Sequence, residues 1–200
     1  MLYCNPAILR YCGTVCSYLC QVEKLRNDEL GRVELKDLHE LERLPLDIVL
    51  DNVRSALNTG SVFRTCDAFR IGNLHLCGIT ATPPHKEIQK TALGSTESVP
   101  WNYWNSTIEA VVALKAKGYK VYAAEQVRGS TPLQEFEITD TKIAVVFGHE
   151  MDGVSQEVVN QCDGTIEIPQ EGMKHSLNIS VSAGIVCWEF WKKLKEMKNG

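Results

Sequence analysis

At 200 residues, 44% apolar and 23% charged, the chain is long enough for one α/β domain to bury a sizeable core without metals or disulfides. Charged or strongly polar residues interrupt every apolar run before the roughly 18 to 20 residues that a membrane-spanning helix needs, so a soluble protein is expected. The formal net charge of −4 argues mildly against a nucleic-acid partner, but binding follows the local field at a cleft rather than the total. Local basic groups exist at Arg54, Arg64 and Arg70, at His85, Lys86 and Lys90, and in the tail at Lys192, Lys193, Lys195 and Lys198, which reads equally as a solvated helix face.

Eight cysteines divide into two sets. Cys66, Cys77, Cys162 and Cys187 are dispersed in apolar segments, the pattern of reduced core thiols, and point to a reducing cytoplasm. Cys4, Cys12, Cys16 and Cys20 crowd the start, the last three spaced as on one helical face. No CxxC pair or nearby His completes a zinc-like set, so no metal is expected. Arg10 lies inside the apolar stretch instead of before it, and no small-residue cleavage site follows, so the segment does not read as a signal peptide.

Taken in chain order, Glu23 to Arg43 is polar and charge-mixed, and Leu46 to Leu50 is a buried strand with which the motif-bearing domain begins. Asn58-Thr59-Gly60-Ser61 reads as a turn or helix start, Val62 to Phe69 as a helix, Gly72 as its stop, and Asn73 to Cys77 as a strand. Pro83-Pro84 opens a loop with a short helix through Leu93, and Trp101, Tyr103 and Trp104 form an aromatic knot. A helix follows from Ser106 or Thr107 to Gly118, with Ile108, Val111, Val112 and Leu114 on its apolar face. Strand Lys120 to Ala124, strand Lys142 to Phe147, helix Ser155 to Cys162, strand Thr165 to Ile168 and a long helix from Ser176 to about Met197 complete the chain. Such alternation predicts a mostly parallel sheet covered on both faces.

Ligands of parallel α/β sheets sit at the carboxyl ends of strands, and three segments there carry chemistry. The first runs Asp51-Asn52-Val53-Arg54 to Asn58, Gly60 and Arg64; Asn58 alone reads as an ordinary helix cap, whereas Arg64 in an apolar helix either snorkels or has an anionic partner. The second is Phe147-Gly148-His149-Glu150-Met151-Asp152-Gly153, where two glycines permit close approach to a ligand or positive φ; a tight turn with a solvated carboxylate is the plain alternative. No Gly-Lys-Ser or Gly-Lys-Thr follows, so it is not a P-loop. The third runs Ile168 to Asn178, with Ser176 as N-cap of the final helix and Asn178 in its first turn.

Together and in this order, the three segments resemble the SpoU/TrmH family of SPOUT-class RNA methyltransferases: Asn52, Asn58 and Arg64 match its first motif, Gly148 to Glu150 its Gly-Asn-Glu loop, and Ser176-Leu177-Asn178 its Ser-Leu-Asn motif. The likeness spans approximately Leu46 to Trp191. It implies residues 46–200 as the methyltransferase domain behind a partly helical extension at 1–45, a C-terminal deep trefoil knot, S-adenosylmethionine as cofactor, homodimers, and transfer RNA or ribosomal RNA as substrate, methylated on a ribose 2′-hydroxyl.

Carried over by position, the resemblance implies cofactor contacts at Glu125, Gly148, Gly153, Ile168, Met173, Ser176 and Leu177. It implies catalytic roles for Arg64, Asn58, Glu150, Ser176 and Asn178, and RNA contacts at Asn52, Arg54 and Arg64. A guanidinium with a pKa above roughly 12 is a poor base, so Arg64 is read as gripping the neighbouring phosphate, with Glu150, Ser176 and Asn178 orienting it and the ribose. His149 stands where the family usually has Asn and is read as structural. A non-catalytic RNA- or cofactor-binding protein of the same fold is the alternative, disfavoured by the retained polar residues. A nucleotide-binding oxidoreductase is disfavoured by the missing GxGxxG.

Overall fold

The computed structural model describes residues 24–26, 29, 31, 41–140, 142–173 and 176–199. The cysteine-rich start, with Cys4, Cys12, Cys16 and Cys20, lies outside them. Of the unit formed by Met1–Asp37, the described part includes a turn in which Arg26 N donates to the Glu29 carboxylate at 2.6 Å.

Leu38–Gly200 form the second compact unit. Its strands are β1 Leu44–Asp51, β2 Ile71–Cys77, β3 Trp101–Trp104, β4 Lys120–Ala124, β5 Thr131–Pro132, β6 Ile143–Phe147 and β7 Gly164–Glu167. They pair in parallel in the order β3-β2-β1-β6-β4-β7-β5. The helices are α1 Ala56–Ala68, α2 Lys86–Ala92, α3 Ser95–Ser98, α4 Thr107–Ala116, α5 Gln156–Gln161 and α6 Ile179–Asn199.

The two-residue period of a strand explains the layers. Leu46, Ile48 and Leu50 of β1 point to one face, where they pack with Val62, Phe63 and Cys66 of α1 and Ala183, Val186, Cys187 and Phe190 of α6. Val49 points to the other, with Val121 and Ala123 of β4, Val146 of β6, and Ala110, Val111 and Leu114 of α4. A strand buried on both faces reads as a near-continuous apolar run, which is why Leu46 to Leu50, interrupted by Asp47 alone, was legible. Burial pushes the thiols up, that of Cys66 well above its ordinary range and those of Cys77 and Cys187 to about 12, so these cysteines are protonated core residues. No described helix is long and apolar enough to cross a membrane.

Four local expectations are corrected. Trp101–Trp104 is an edge strand rather than an aromatic knot: β3 pairs with β2 from Leu74↔Trp101 to Cys77↔Trp104. Its Trp104 indole N–H donates to His75 Nδ1 at 3.0 Å, and His75 Nε2 meets the buried Asp47 carboxylate at 3.0 Å, a sequence-distant polar set that closes only once the sheet forms. Gly72 does not stop α1. The helix ends at Ala68, Arg70 makes the reversal with φ of 50°, and Gly72 lies inside β2, where a β-carbon would fall 2.5 Å from Asp47 Oδ1. Asn58 is not a cap, because Ser55 caps α1 by accepting from Asn58 N at 3.2 Å. Nor does Ser176 cap the final helix: α6 begins at Ile179, and Asn178 accepts from Ser180 N at 2.9 Å through Oδ1.

From β1 the chain builds outward through β2 to β3, then crosses to the other side of β1, where β6 becomes its neighbour. The carboxyl ends of β1 and β6 therefore flank a topological switch point, the place where open parallel sheets form a crevice.

Candidate functional site

From that switch point leave two loops, residues 52–55 after β1 and 148–154 after β6. Asp51, 2% exposed at the end of β1, accepts from Asn52 Nδ2 at 2.8 Å, from the Thr107 hydroxyl and from Ser155 N at 3.4 Å. It thus ties the start of the first loop to the end of the second. Asn52 has φ of 54°, and its Oδ1 accepts from Ile79 N at 3.2 Å against Gly78. Its side chain is spent on the turn after β2, so the structure does not place Asn52 with the other motif residues.

Glu150 crosses to the start of α1. Its carboxylate accepts from Arg54 N and Ser55 N, each at 3.0 Å, and from Asn58 Nδ2 at 3.2 Å. Burial pushes the Glu150 pKa up, but its own backbone N–H, those of Arg54 and Ser55, and the Asn58 amide outweigh that, and the net direction is down. A carboxylate at a helix N-terminus is stabilised by the same unsatisfied N–H groups. Asn58 then turns its carbonyl to Asn178, accepting from Nδ2 at 3.2 Å, and Asn178 Oδ1 also accepts from the Ser180 hydroxyl at 2.7 Å. One hydrogen-bonded chain, Glu150–Asn58–Asn178–Ser180, joins the three motif segments.

Next to it lies a cavity of about 280 Å³ bounded by the loops after β4, β6 and β7 and by the start of α6. Of the residues that the resemblance implies as cofactor contacts, Glu125, Gly148, Gly153, Ile168, Ser176 and Leu177 line this cavity, and so does Glu150. Met173 does not: it is 91% exposed and outside the lining. The apolar floor of Leu133, Phe147, Ile166, Ile179 and Val186 was not singled out from the sequence, because its members read there as ordinary core.

Glu125 holds the upper loop, accepting from Val154 N at 2.8 Å and Gln126 N at 3.0 Å. Gly153 has φ of 69°, and a β-carbon there would sit 2.2 Å from Glu125 Oε2; one on Gly148 would sit 2.0 Å from the Gly153 carbonyl carbon. The loop closes on itself through His149 N to Gly153 O at 3.0 Å and Gly153 N to His149 O at 2.9 Å. His149 Nδ1 accepts from Met151 N at 3.2 Å and Asp152 N at 3.3 Å, as an asparagine carbonyl would, which puts the imidazole proton on Nε2. Asp152 Oδ2 lies 3.1 Å from the same nitrogen, but that carboxylate is exposed and two backbone donors already face Nδ1.

Arg64 and Arg54 stand apart from the cavity lining. Both are exposed, and the Arg64 side chain has no hydrogen bond or ion pair among the described residues; it points neither into a core nor onto a carboxylate. Arg54 enters the network through its backbone N–H alone. Asp51 opens the first of the three segments but was given no role from the sequence, although an acidic residue closing an apolar strand ahead of a motif asparagine is a usable signal.

Chemically, the cavity combines an apolar floor with carboxylates at Glu125, Glu150, Asp152 and Glu167, and no Lys or Arg is among its described lining residues. Such a site suits an amphipathic ligand with a positive centre and disfavours a polyphosphate, which wants cations or a basic nest. Among the described residues no group of three or more His, Cys, Asp or Glu is placed to hold a metal.

The sequence model of the SpoU rRNA Methylase family matches residues 45–188. Over 161 residues, 80% of this chain and 81% of the relative, the chain is 32% identical to a tRNA (guanosine(18)-2′-O)-methyltransferase of Thermus thermophilus. The crystal structure of a TrmH/SpoU tRNA modifying enzyme from A. aeolicus superposes with a TM-score of 0.73 at 30% identity, covering 82% of this chain and 84% of that one. An AdoMet-bound rRNA methyltransferase from Sinorhizobium meliloti superposes with a TM-score of 0.71 at 28% identity, covering 83% and 62%. With the family pattern matched across both switch-point loops and the start of α6, the chain belongs to the SpoU rRNA methylase family.

Proposed function

We propose that this protein transfers a methyl group from S-adenosylmethionine to a ribose 2′-hydroxyl of transfer RNA or ribosomal RNA. The observation that carries the reading is the Glu150–Asn58–Asn178 chain set beside an acidic, apolar-floored cavity. The cavity's residues fit the cofactor: the apolar floor would accept an adenine ring, Gly148 and Gly153 let backbone approach closely, and carboxylates, with no Lys or Arg among the described lining residues, favour a positive sulfur. S-adenosylmethionine supplies an electrophilic methyl group on that sulfur.

The protein's work is alignment for in-line displacement and help with the hydroxyl proton. Glu125 and Gly153 shape the cofactor wall. Glu150, Asn58 and Asn178 act as positioning residues that lock α1, the loop after β6 and the start of α6 into one rim, with Ser176 at the cavity mouth. From α1, exposed Arg64 grips the phosphate beside the target ribose and orients the hydroxyl, and the phosphate or the guanidinium field assists proton loss, because the guanidinium itself does not accept a proton near neutral pH. Arg54 adds a phosphate contact.

The same reading includes a homodimer, supported by Val181 and Ile185 at 49% and 38% exposure one turn apart on α6, and a cytoplasmic location, supported by the free cysteines Cys66, Cys77, Cys162 and Cys187. It also includes passage of the C-terminal segment through a knot, supported by β7 entering between β4 and β5 before α6 returns to pack on α1.

Labelled methyl transfer to total transfer RNA and to ribosomal RNA, wild type against Arg64→Ala, tests the reading. A 2′-O-methylated nucleotide that falls by about 100-fold or more in the variant is expected, in the range typical for losing a positioned charged group. Cofactor affinity stays unchanged, since Arg64 lies outside the cavity. Full activity of the variant would remove Arg64 from the mechanism, and a mark on a base instead of a ribose would overturn the reaction.

A further inference from the structure

The methyl transfer outlined above leaves one buried carboxylate at the carboxyl end of β1 unused. Asp51 is 2% exposed, and what meets it are N–H and O–H donors from three separate stretches of chain: the Asn52 amide at 2.8 Å, the Thr107 hydroxyl at the start of α4, and at 3.4 Å the N–H of Ser155, the N-cap of α5. Burying a carboxylate is costly unless donors satisfy its oxygens. Here both oxygens are engaged, Oδ1 by Asn52 and Thr107 and Oδ2 by Ser155. A carboxylate only accepts; an amide in its place would aim its own NH2 at one of these donors.

The loops after β1 and β6 are therefore joined twice, on the outside by Glu150 to Arg54 N and Ser55 N and underneath by Asp51. Residues 51–55 and 150–155 close into a ring through these two carboxylates. Asn52 opens the ring with φ of 54°, a conformation that residues with a β-carbon disfavour. Its own side chain holds it there, Nδ2 on Asp51 and Oδ1 beneath Ile79 N, and Val53 N follows onto Thr80 Oγ1 at 2.9 Å. That path is what presents the N–H groups of Arg54 and Ser55 to Glu150. On the other side of the ring, Val154 N is held by Glu125 and Ser155 N by Asp51, so two consecutive N–H groups at the end of the cavity wall are gripped by carboxylates from two different strand ends.

We propose that Asp51 is a positioning residue for methyl transfer, registering the loop that walls the cofactor cavity against the loop that leads into α1 and its rim of Asn58 and Arg64. It touches neither cofactor nor RNA and acts through Asn52 and Ser155. The proposal rests on the proposed function and deepens it, because in-line displacement is limited by how the methyl carbon and the attacking oxygen are aligned, and a misplacement of about 1 Å can cost on the order of 100-fold in rate. Loss of the Asp51 link leaves each binding surface intact and lets one slide against the other, so the rate falls while binding does not.

The test compares wild type, Asp51→Asn, Thr107→Val and Asp51→Asn/Glu150→Gln of the full chain in methyl transfer to total transfer RNA and ribosomal RNA, in calorimetry with S-adenosylmethionine, and in amide hydrogen exchange of residues 52–58. Asp51→Asn is expected to lower kcat by about 10- to 100-fold, with KM for RNA and cofactor affinity within about twofold of wild type, and to speed exchange of 52–58 by about tenfold although Glu150 is intact. Thr107→Val removes a hydrogen bond from Asp51 but neither loop link, so it melts lower and keeps kcat and exchange. The double variant loses no more rate than the worse single, because both changes open one ring. Should Asp51→Asn not fold, Asn52→Gly frees the loop from Asp51 while keeping its φ accessible and carries the same expectation for kcat and exchange. Wild-type kcat and exchange in the Asp51 or Asn52 variant, an equal rate loss in Thr107→Val, or losses that multiply in the double variant would overturn the positioning role alone. Faster exchange in Asp51→Asn with no methyl transfer by the wild type would sustain the registration of the loops and sink the reaction.

Discussion

Asn58 and Asn178, 120 positions apart in sequence, share a 3.2 Å hydrogen bond from the Asn178 amide to the Asn58 carbonyl. Because the Asn58 amide is already given to Glu150 at 3.2 Å, its single side chain fixes the relative placement of two helix starts and one loop. Groups bonded in series in this way are coupled, and removing one releases the others.

Glu150→Gln tests that coupling through pH. The folded-state pKa of Glu150 lies below its ordinary 4.5, so the carboxylate's contribution to stability is complete above about 4.5 and disappears as pH falls through the lowered folded value. Urea unfolding at pH 7 is expected to show the variant less stable by about 1 kcal/mol, the scale of a helix-capping contact, with the gap narrowing as pH falls below the ordinary carboxylate range. A gap independent of pH would mean that shape rather than charge matters at this position.

Gly148→Ala is expected to be severe for its size. The added β-carbon would land 2.0 Å from the Gly153 carbonyl carbon and 2.1 Å from Val154 N, both backbone atoms, so the loop must open. A loss of about 1 to 3 kcal/mol is expected, as for overpacking elsewhere, together with S-adenosylmethionine affinity falling at least tenfold. Calorimetric titration of the variant measures the second effect independently of activity.

His149→Asn should be nearly silent, and His149→Ala should not. The imidazole Nδ1 accepts two backbone N–H groups at 3.2 and 3.3 Å, a job that an asparagine carbonyl can perform and a methyl group cannot. Thermal melts are expected to agree within the error of measurement for wild type and the Asn variant, while the Ala variant melts several degrees lower. A changed RNA target in the Asn variant with an unchanged melt would instead mark His149 as a substrate contact.

Local pattern carried most of the fold. The run Leu46 to Leu50, the helix signalled between Ser106 and Gly118, and the apolar strand to Phe147 each follow from neighbours in sequence, because strand and helix periods are local properties. Errors fell where a tertiary partner overrides the local signal. Trp101–Trp104 carries aromatics that look like a cluster, yet it pairs with β2 at the sheet edge. Ser176 has good capping chemistry, but the helix begins only where Asn178 can cap it and meet Asn58.

By itself the sequence determined the alternation of strands and helices, the reduced thiols of the core, and the three segments whose order marks the family, since these depend on residue type and spacing along one chain. Only the tertiary structure decided the strand order that puts β6 beside β1, the binding of Glu150 to the backbone just ahead of α1 from 95 and 96 residues away, and the convergence of Asn52, Thr107 and Ser155 on Asp51. Those relationships are set by which elements pack together when the apolar faces of β1, α1 and α6 are buried, and burial brings together residues that no periodicity along the chain connects.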